Sequence, residues 1–252
     1  MSNDRLRDAL LRNGITPAGL ADELGVDPKT GERWITLGRL PYRRHRHRIA
    51  ALVRESESYL WPDAVPSERA TAIARSEIVQ IFPNRAAVPA DLWRRLIEGA
   101  CGQIGVLVYA GLFLPEQHPL LNATLHKKGS GGTHVRLLLG DPDSPQVAER
   151  GREEGIGDAI ASKIRNTLVH YAPLQNAKGV EVNLHSTTLY SSLYRFDEEA
   201  LVNTHVYGLP AGHAPVLHLR RLSAGDLFDT YAESFERVWA QSRPAWPAGA
   251  AA

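Results

Sequence analysis

The stretch that most constrains this chain is "ITPAGLADELGVDPKTGERWITLGRLP", Ile15 to Pro41. Proline fits a helix only in its first turn, because it lacks an N–H and its φ is already helical. Here two prolines each follow a capping residue: Thr16 before Pro17, and Asp27 before Pro28. Gly25 sits between them, where a left-handed residue would end the first helix. The punctuation therefore predicts helices over Pro17–Leu24 and from Pro28 to about Leu37, joined by a tight turn at Gly25–Val26. Asp4 can cap an earlier helix over Arg5–Arg12 that Gly14 stops. Pro41 precedes a fourth helix, roughly Tyr42–Arg54. Leu6, Leu10, Leu20, Leu24, Val26, Trp34, Ile49 and Leu52 fall where they can share one small core.

Beyond this head, residues 55–69 ("ESESYLWPDAVPSER") read as a linker with one anchoring cluster, Tyr59–Leu60–Trp61. The chain then alternates strand and helix patterns. Strands are expected over Ile78–Phe82, Gly105–Leu114, Thr133–Leu139, Val180–His185, Ser191–Val206 (with a turn at Asp197–Glu199) and Pro215–Arg220. Helices are expected over Pro89–Glu98, Leu120–Lys128, Ser144–Tyr171 with a break near Gly155–Gly157, and Ala224–Gln241. "RPAWPAGAAA" reads as a disordered tail. Such alternation points to an α/β or α+β sandwich.

Charge separates the two regions. Residues 1–54 hold 11 Lys+Arg against 6 Asp+Glu, and the remainder holds 18 against 22. A basic head on an acidic body suits a polyanionic partner for the head alone. A lone cysteine, Cys101, excludes an intrachain disulfide and a cysteine-based zinc site, which fits a reducing cytoplasm. The most apolar run, Ile104–Pro115, is too short for a bilayer. His45 and His47 stand at i and i+2, on different sides of a helix, so no metal is expected there. The spacing of His185, His205 and His218 requires none either. "KKGSGG", Lys127–Gly132, lacks phosphate-loop spacing and reads as a flexible connector.

The head pattern resembles the lambda-repressor-like (xenobiotic-response-element type) helix-turn-helix regulators, over about residues 3–54. Small Ala21, turn Gly25, plug Val26, capped Asp27–Pro28 and anchor Trp34 carry the likeness. The resemblance implies that the second helix of the motif enters the major groove. Lys29, Thr30 and Arg33 would then meet base edges. Thr16, Arg39, Arg43, Arg44 and Arg46 are assigned to the same DNA surface, the arginines to phosphates. Gly31 departs from helix preference and can permit a close backbone approach.

The body holds "LHSTTLYSSLYRFDEEALVNTHVYG", Leu184 to Gly208, rich in residues that do chemistry. "RFDEEALVNTHVYG", "PVLHLRR" and "LFDTYAESFERVW" resemble actinobacterial helix-turn-helix proteins whose C-terminal domain is related to the phospholipase D superfamily. Active members of that superfamily share His-x-Lys-x4-Asp, followed by a Gly-Ser-x-Asn-like segment. Anchored on Asp197, the nucleophile position is Tyr190 and the lysine position is Ser192. The downstream segment falls on Thr204–Tyr207. A hydroxyl cannot replace an ammonium, and losing such a stabiliser costs several kcal/mol of barrier. The expectation is a catalytically inactive phospholipase D-like domain in which His185, Tyr190, Ser192, Asp197 and His205 line a ligand pocket.

The whole reading is an all-α helix-turn-helix domain (1–54), a linker (55–69), a phospholipase D-like mixed sheet with flanking helices (70–242) and a disordered tail (243–252). It describes a cytoplasmic transcription regulator, not an enzyme. Double-stranded DNA and a second copy of the chain are the expected partners. A small-molecule effector follows from the pocket, and no cofactor, metal or membrane is expected. The rivals are a DNA-directed phosphodiesterase or nuclease, and a protein-binding antitoxin-like scaffold.

Overall fold

The structure is a computed structural model. It describes residues 2–55, 57–62, 76–222 and 225–246. The chain divides into two compact units, residues 1–72 and 73–252.

The first unit is helical: α1 (Asp4–Arg12), α2 (Pro17–Leu24), α3 (Pro28–Thr36), α4 (Arg43–Val53) and the single turn α5 (Glu57–Leu60). The caps follow from local chemistry. Thr16 accepts the Gly19 amide and Asp27 accepts the Lys29 amide, while Gly25 ends α2 at φ 65°. The first helix is capped by Asn3, not Asp4, through the Leu6 amide. Leu6, Leu10, Leu20, Leu24, Trp34, Ile35, Ile49 and Val53 form the core, with Val26 and Leu52 packed against it. Leu60 and Trp61 belong to the same core. Residues 57–61, expected in the linker, therefore belong to the helical unit. The Asn3 amide group and the Arg5 guanidinium tie them down through the Leu60 and Tyr59 carbonyls. Gly31 is buried, and a Cβ there would rest 3.5 Å from that of Ala21. The close approach it permits is thus to α2.

The second unit is built on one mixed sheet of eight strands, in the order β1-β7-β6-β5-β2-β3-β4-β8. The strands are β1 (Ile78–Phe82), β2 (Gln103–Leu107), β3 (His134–Gly140), β4 (Val180–His185), β5 (Ser191–Phe196), β6 (Glu199–Thr204), β7 (Val216–Arg220) and β8 (Arg243–Pro244). β2, β3 and β4 run parallel, and the remaining pairings are antiparallel. The helices are α6 (Ala90–Gly99), α7 (Phe113–Gln117), α8 (Leu121–Ser130), α9 (Pro145–Glu153), α10 (Ala159–Tyr171) and α11 (Leu227–Ala240). Side chains alternate along β5. Arg195 meets Phe228 of α11 on one face, whereas Tyr194 packs edge-on against Trp93 of α6 and Phe113 of α7 on the other. Among the described residues, no helix is long and apolar enough to cross a membrane.

Three expectations need correction. The apolar run Gly105–Leu114 is strand only to Leu107; Val108, Tyr109, Phe113 and Leu114 are buried as a turn and a short helix. Lys127–Ser130 is the last turn of α8 and not a flexible connector. A Cβ on Gly129 would meet the Lys178 carbonyl, so glycine allows this helix onto the chain entering β4. Arg243–Pro244, expected in the tail, pairs with β4, and Arg243 meets Asp141 at 2.7 Å. The end of the tail, residues 247–252, lies outside the described residues.

Candidate functional site

The hairpin β5–β6 carries most of the residues singled out in the sequence, but it does not gather them in one place. Asp197 sits at the turn, at φ 50°. Its carboxylate accepts the amides of Cys101, Gly102 and Gln103 at 2.7–2.8 Å. Burial works to raise its pKa, but the three amides and Lys128 outweigh this and hold it below the usual carboxylate range. Asp197 thus anchors the loop entering β2. It borders a hollow with Gly102, His134 and Arg136, apart from Ser192. Ser192 lies five residues back along the strand, roughly 17 Å at strand rise.

At the other end of β5, Ser192 Oγ lies 3.0 Å from His205 Nε2. His205 Nδ1 lies 3.1 Å from the Leu189 carbonyl. A carbonyl only accepts, so Nδ1 carries the proton and Nε2 receives the Ser192 hydroxyl. The imidazole stacks on Tyr109 at 5.8 Å. Burial first, then the charges of Arg150 and Arg85, pushes its pKa down to about 4, so it is neutral at pH 7.

Two cavities flank this group and share Tyr109, Arg150 and His205 in their walls. One, of about 230 Å³, is also lined by Arg85, Lys163, Ser192 and Tyr194. The other, of about 450 Å³, is also lined by Gln146, Leu189, Tyr190 and Tyr207. Arg150 is 4% exposed. Its terminal nitrogens meet Glu153, Glu154 and the Leu209 carbonyl, but its Nε has no partner. The Tyr194 hydroxyl, on a residue 1% exposed, lies beside Ser192 and Arg85. Burial raises its pKa against the pull of nearby Arg85.

Of the five residues expected in one pocket, Ser192 and His205 line the first cavity, while Tyr190 and His205 line the second. His185 lines neither: it is a buried strut between the Val108 carbonyl (3.1 Å) and the Thr187 amide (3.2 Å). Asp197 belongs to the opposite end of the hairpin. Arg85, Tyr109, Arg150, Lys163 and Tyr194 escaped the sequence reading. Arg150 had a signal, since it falls on the apolar stripe of α9 with Val147 and Gly151.

In the helical unit, Lys29, Arg33, Arg39 and Arg44 are exposed, Thr30 and Arg43 partly so. Thr16 is exposed, with its hydroxyl used as a cap. Arg46 does not fit the assignment: its side chain is 12% exposed and pairs with Glu57 at 3.3 Å. His45 is buried against Trp34, and burial together with Arg44 and Arg48 lowers its pKa. Among the described residues, no group of three or more His, Cys, Asp or Glu could hold a metal ion.

These features define a helical unit and a mixed α/β domain with two cavities that meet at His205. The chain belongs to the family described as "Domain of unknown function (DUF5919)", which matches residues 75–246. No curated protein matches it. Among solved structures it is similar to TrmBL2, an archaeal chromatin protein whose structure shows a novel mode of DNA binding. The identity is 13% and the TM-score 0.43, over 80% of this chain and 65% of that one. It is also similar to Nuc, a phospholipase D family member from Salmonella typhimurium, at 15% identity and TM-score 0.39, over 67% of this chain and 97% of that one. NucT from Helicobacter pylori is similar at 10% identity and TM-score 0.39, over 66% and 97%.

Proposed function

We propose that the chain is a DNA-binding transcription regulator of the lambda-repressor-like helix-turn-helix kind, acting as a homodimer. Its phospholipase D-like body binds a small-molecule effector and performs no catalysis. One observation carries the DNA-binding half. Gly31, Trp34 and Ile35 lock one face of α3 inward, which turns Lys29 and Arg33 outward on the face opposite. This is the geometry a reading helix needs, and Arg39 and Arg44 add exposed charge for phosphates. Two copies would contact two half-sites and gain affinity by avidity.

The test is selection from a random-sequence duplex library, followed by gel-shift titration at two salt concentrations. Arg33→Ala should relax base discrimination by about 1–3 kcal/mol. Arg44→Ala should weaken every duplex and lower the salt slope by roughly 1. If both variants lose only sequence-independent affinity, α3 is not the reading helix.

The Ser192–His205 hydrogen bond favours one rival, a DNA-directed phosphodiesterase or nuclease, because it has the form of a nucleophile and its base. Two features argue against it. A carbonyl, not a carboxylate, stands behind His205, and its pull toward the imidazolium is outweighed by burial and by the charges of Arg150 and Arg85. A base with pKa about 4 is also far from the neutral optimum for proton transfer. Turnover of plasmid DNA or of a generic phosphodiester that Ser192→Ala abolishes would overturn the non-catalytic reading.

A further inference from the structure

Among the described residues, eight buried side-chain atoms have no hydrogen-bond partner. Two of them, Gln146 Oε1 and Arg150 Nε, belong to residues that line the cavities meeting at His205. An unsatisfied buried polar atom has given up its hydrogen bonds to water without replacement, so such atoms are rare and call for a reason. One donor and one acceptor beside the same pair of cavities point to partners supplied by what the cavities bind.

The chemistry differs between the cavities. The smaller one presents Arg85 and Lys163, neither of which pairs with a carboxylate among the described residues. Of the two glutamates in its wall, Glu154 is taken by Arg150, and Glu116 is exposed. Arg85 lies 3.8 Å over the Phe113 ring, which fixes the plane of its guanidinium. A held guanidinium and an exposed ammonium in one cavity wall suit a phosphate. The larger cavity is flanked by two aromatic residues left open, Tyr190 at 84% and Tyr207 at 75% exposure. Its carboxylates are engaged, Glu149 by Arg152 and Glu153 by Arg150. What it offers is tyrosine faces for stacking a flat ring, with the Gln146 carbonyl to accept a ring N–H. Between the two cavities, neutral His205, the Ser192 hydroxyl and Arg150 provide groups for sugar hydroxyls.

We propose that the paired cavities bind a nucleoside monophosphate, phosphate toward Arg85 and Lys163, base toward Tyr190 and Tyr207. This rests on reading the body as a ligand-binding domain.

Calorimetric titration of the full chain tests it, with AMP, GMP, CMP and UMP, the matching nucleosides, and inorganic phosphate as probes. At least one monophosphate should bind about tenfold or more tightly than its nucleoside. Arg85→Gln, and separately the exposed Lys163→Gln, should remove that advantage and leave nucleoside binding unchanged. Tyr190→Ala with Tyr207→Ala should weaken monophosphate and nucleoside alike. If no monophosphate binds, or if the charge variants weaken nucleoside and monophosphate equally, the assignment is overturned. A gel shift with and without the bound monophosphate separates this from the regulator reading. Tight binding that leaves DNA affinity unchanged keeps the ligand and removes the sensor role.

Discussion

The two ends of strand β5 both carry polar side chains and use them in opposite ways. At the Asp197 end every strong acceptor is consumed: three backbone amides point at one carboxylate. At the Ser192 end the network closes on one side, through the Leu189 carbonyl. On the other it borders a cavity lined by Arg150, whose Nε stays unpaired. A saturated carboxylate stabilises the fold and has nothing left to offer a ligand. A half-satisfied network gives up stability and gains a recognition surface. Residue type alone does not tell these apart; unfilled hydrogen-bonding capacity does.

The largest effect expected from this contrast is at the saturated end. Asp197→Ala removes three charge-assisted hydrogen bonds and places alanine at positive φ. The loss should be on the order of 3–5 kcal/mol of body stability. Urea unfolding of the full chain, followed by near-ultraviolet signal from the body tryptophans, measures it. Effector binding at temperatures where the variant is folded should be unchanged. A loss below about 1 kcal/mol would mean that Asp197 is not a staple, and the contrast between the two ends would fail.

The next effect is smaller and separates the two ends by pH. His205 has a folded pKa of about 4, below its unfolded value. The unfolded chain therefore takes up a proton first, and stability falls as pH drops from about 6.5 toward 4, by up to about 3 kcal/mol for this one ring. Asp197 has linkage of the same sign in a lower pH window. Its contribution is present above the ordinary carboxylate pKa and is lost as pH falls through its depressed folded value. Burial also holds down His185 and His218. The check is therefore the difference between wild type and His205→Gln across pH 4–7. If the two curves run parallel over that range, His205 is not the buried neutral ring its contacts describe.

Much of the local structure could be read from the sequence, and most of the site could not. The caps at Thr16 and Asp27, the turn at Gly25 and the break at Gly155–Gly157 depend on neighbouring residues, so spacing reveals them. The end of β2 was hidden because an apolar run reports burial, and Val108, Tyr109, Phe113 and Leu114 are buried without being strand. The motif spacing that joined Tyr190, Ser192 and Asp197 ignored the length of the strand between them. Arg85, Arg150 and Lys163 come from three separate segments, and the fold alone brings them to one cavity.

The smallest effect is also the sharpest for the comparison. Ser192→Ala takes away the hydroxyl that His205 Nε2 accepts and leaves that nitrogen facing a polar cavity. The expected stability loss is about 1 kcal/mol, well below that of Asp197→Ala, because the freed acceptor can be met by solvent or ligand. Effector affinity should fall by more than stability does. The two variants thus exchange their signatures: one unfolds the body and spares binding, the other spares the fold and impairs binding. If Ser192→Ala destabilises as much as Asp197→Ala, the Ser192–His205 pair is a second staple, and the open valences beside it would belong to packing instead of recognition.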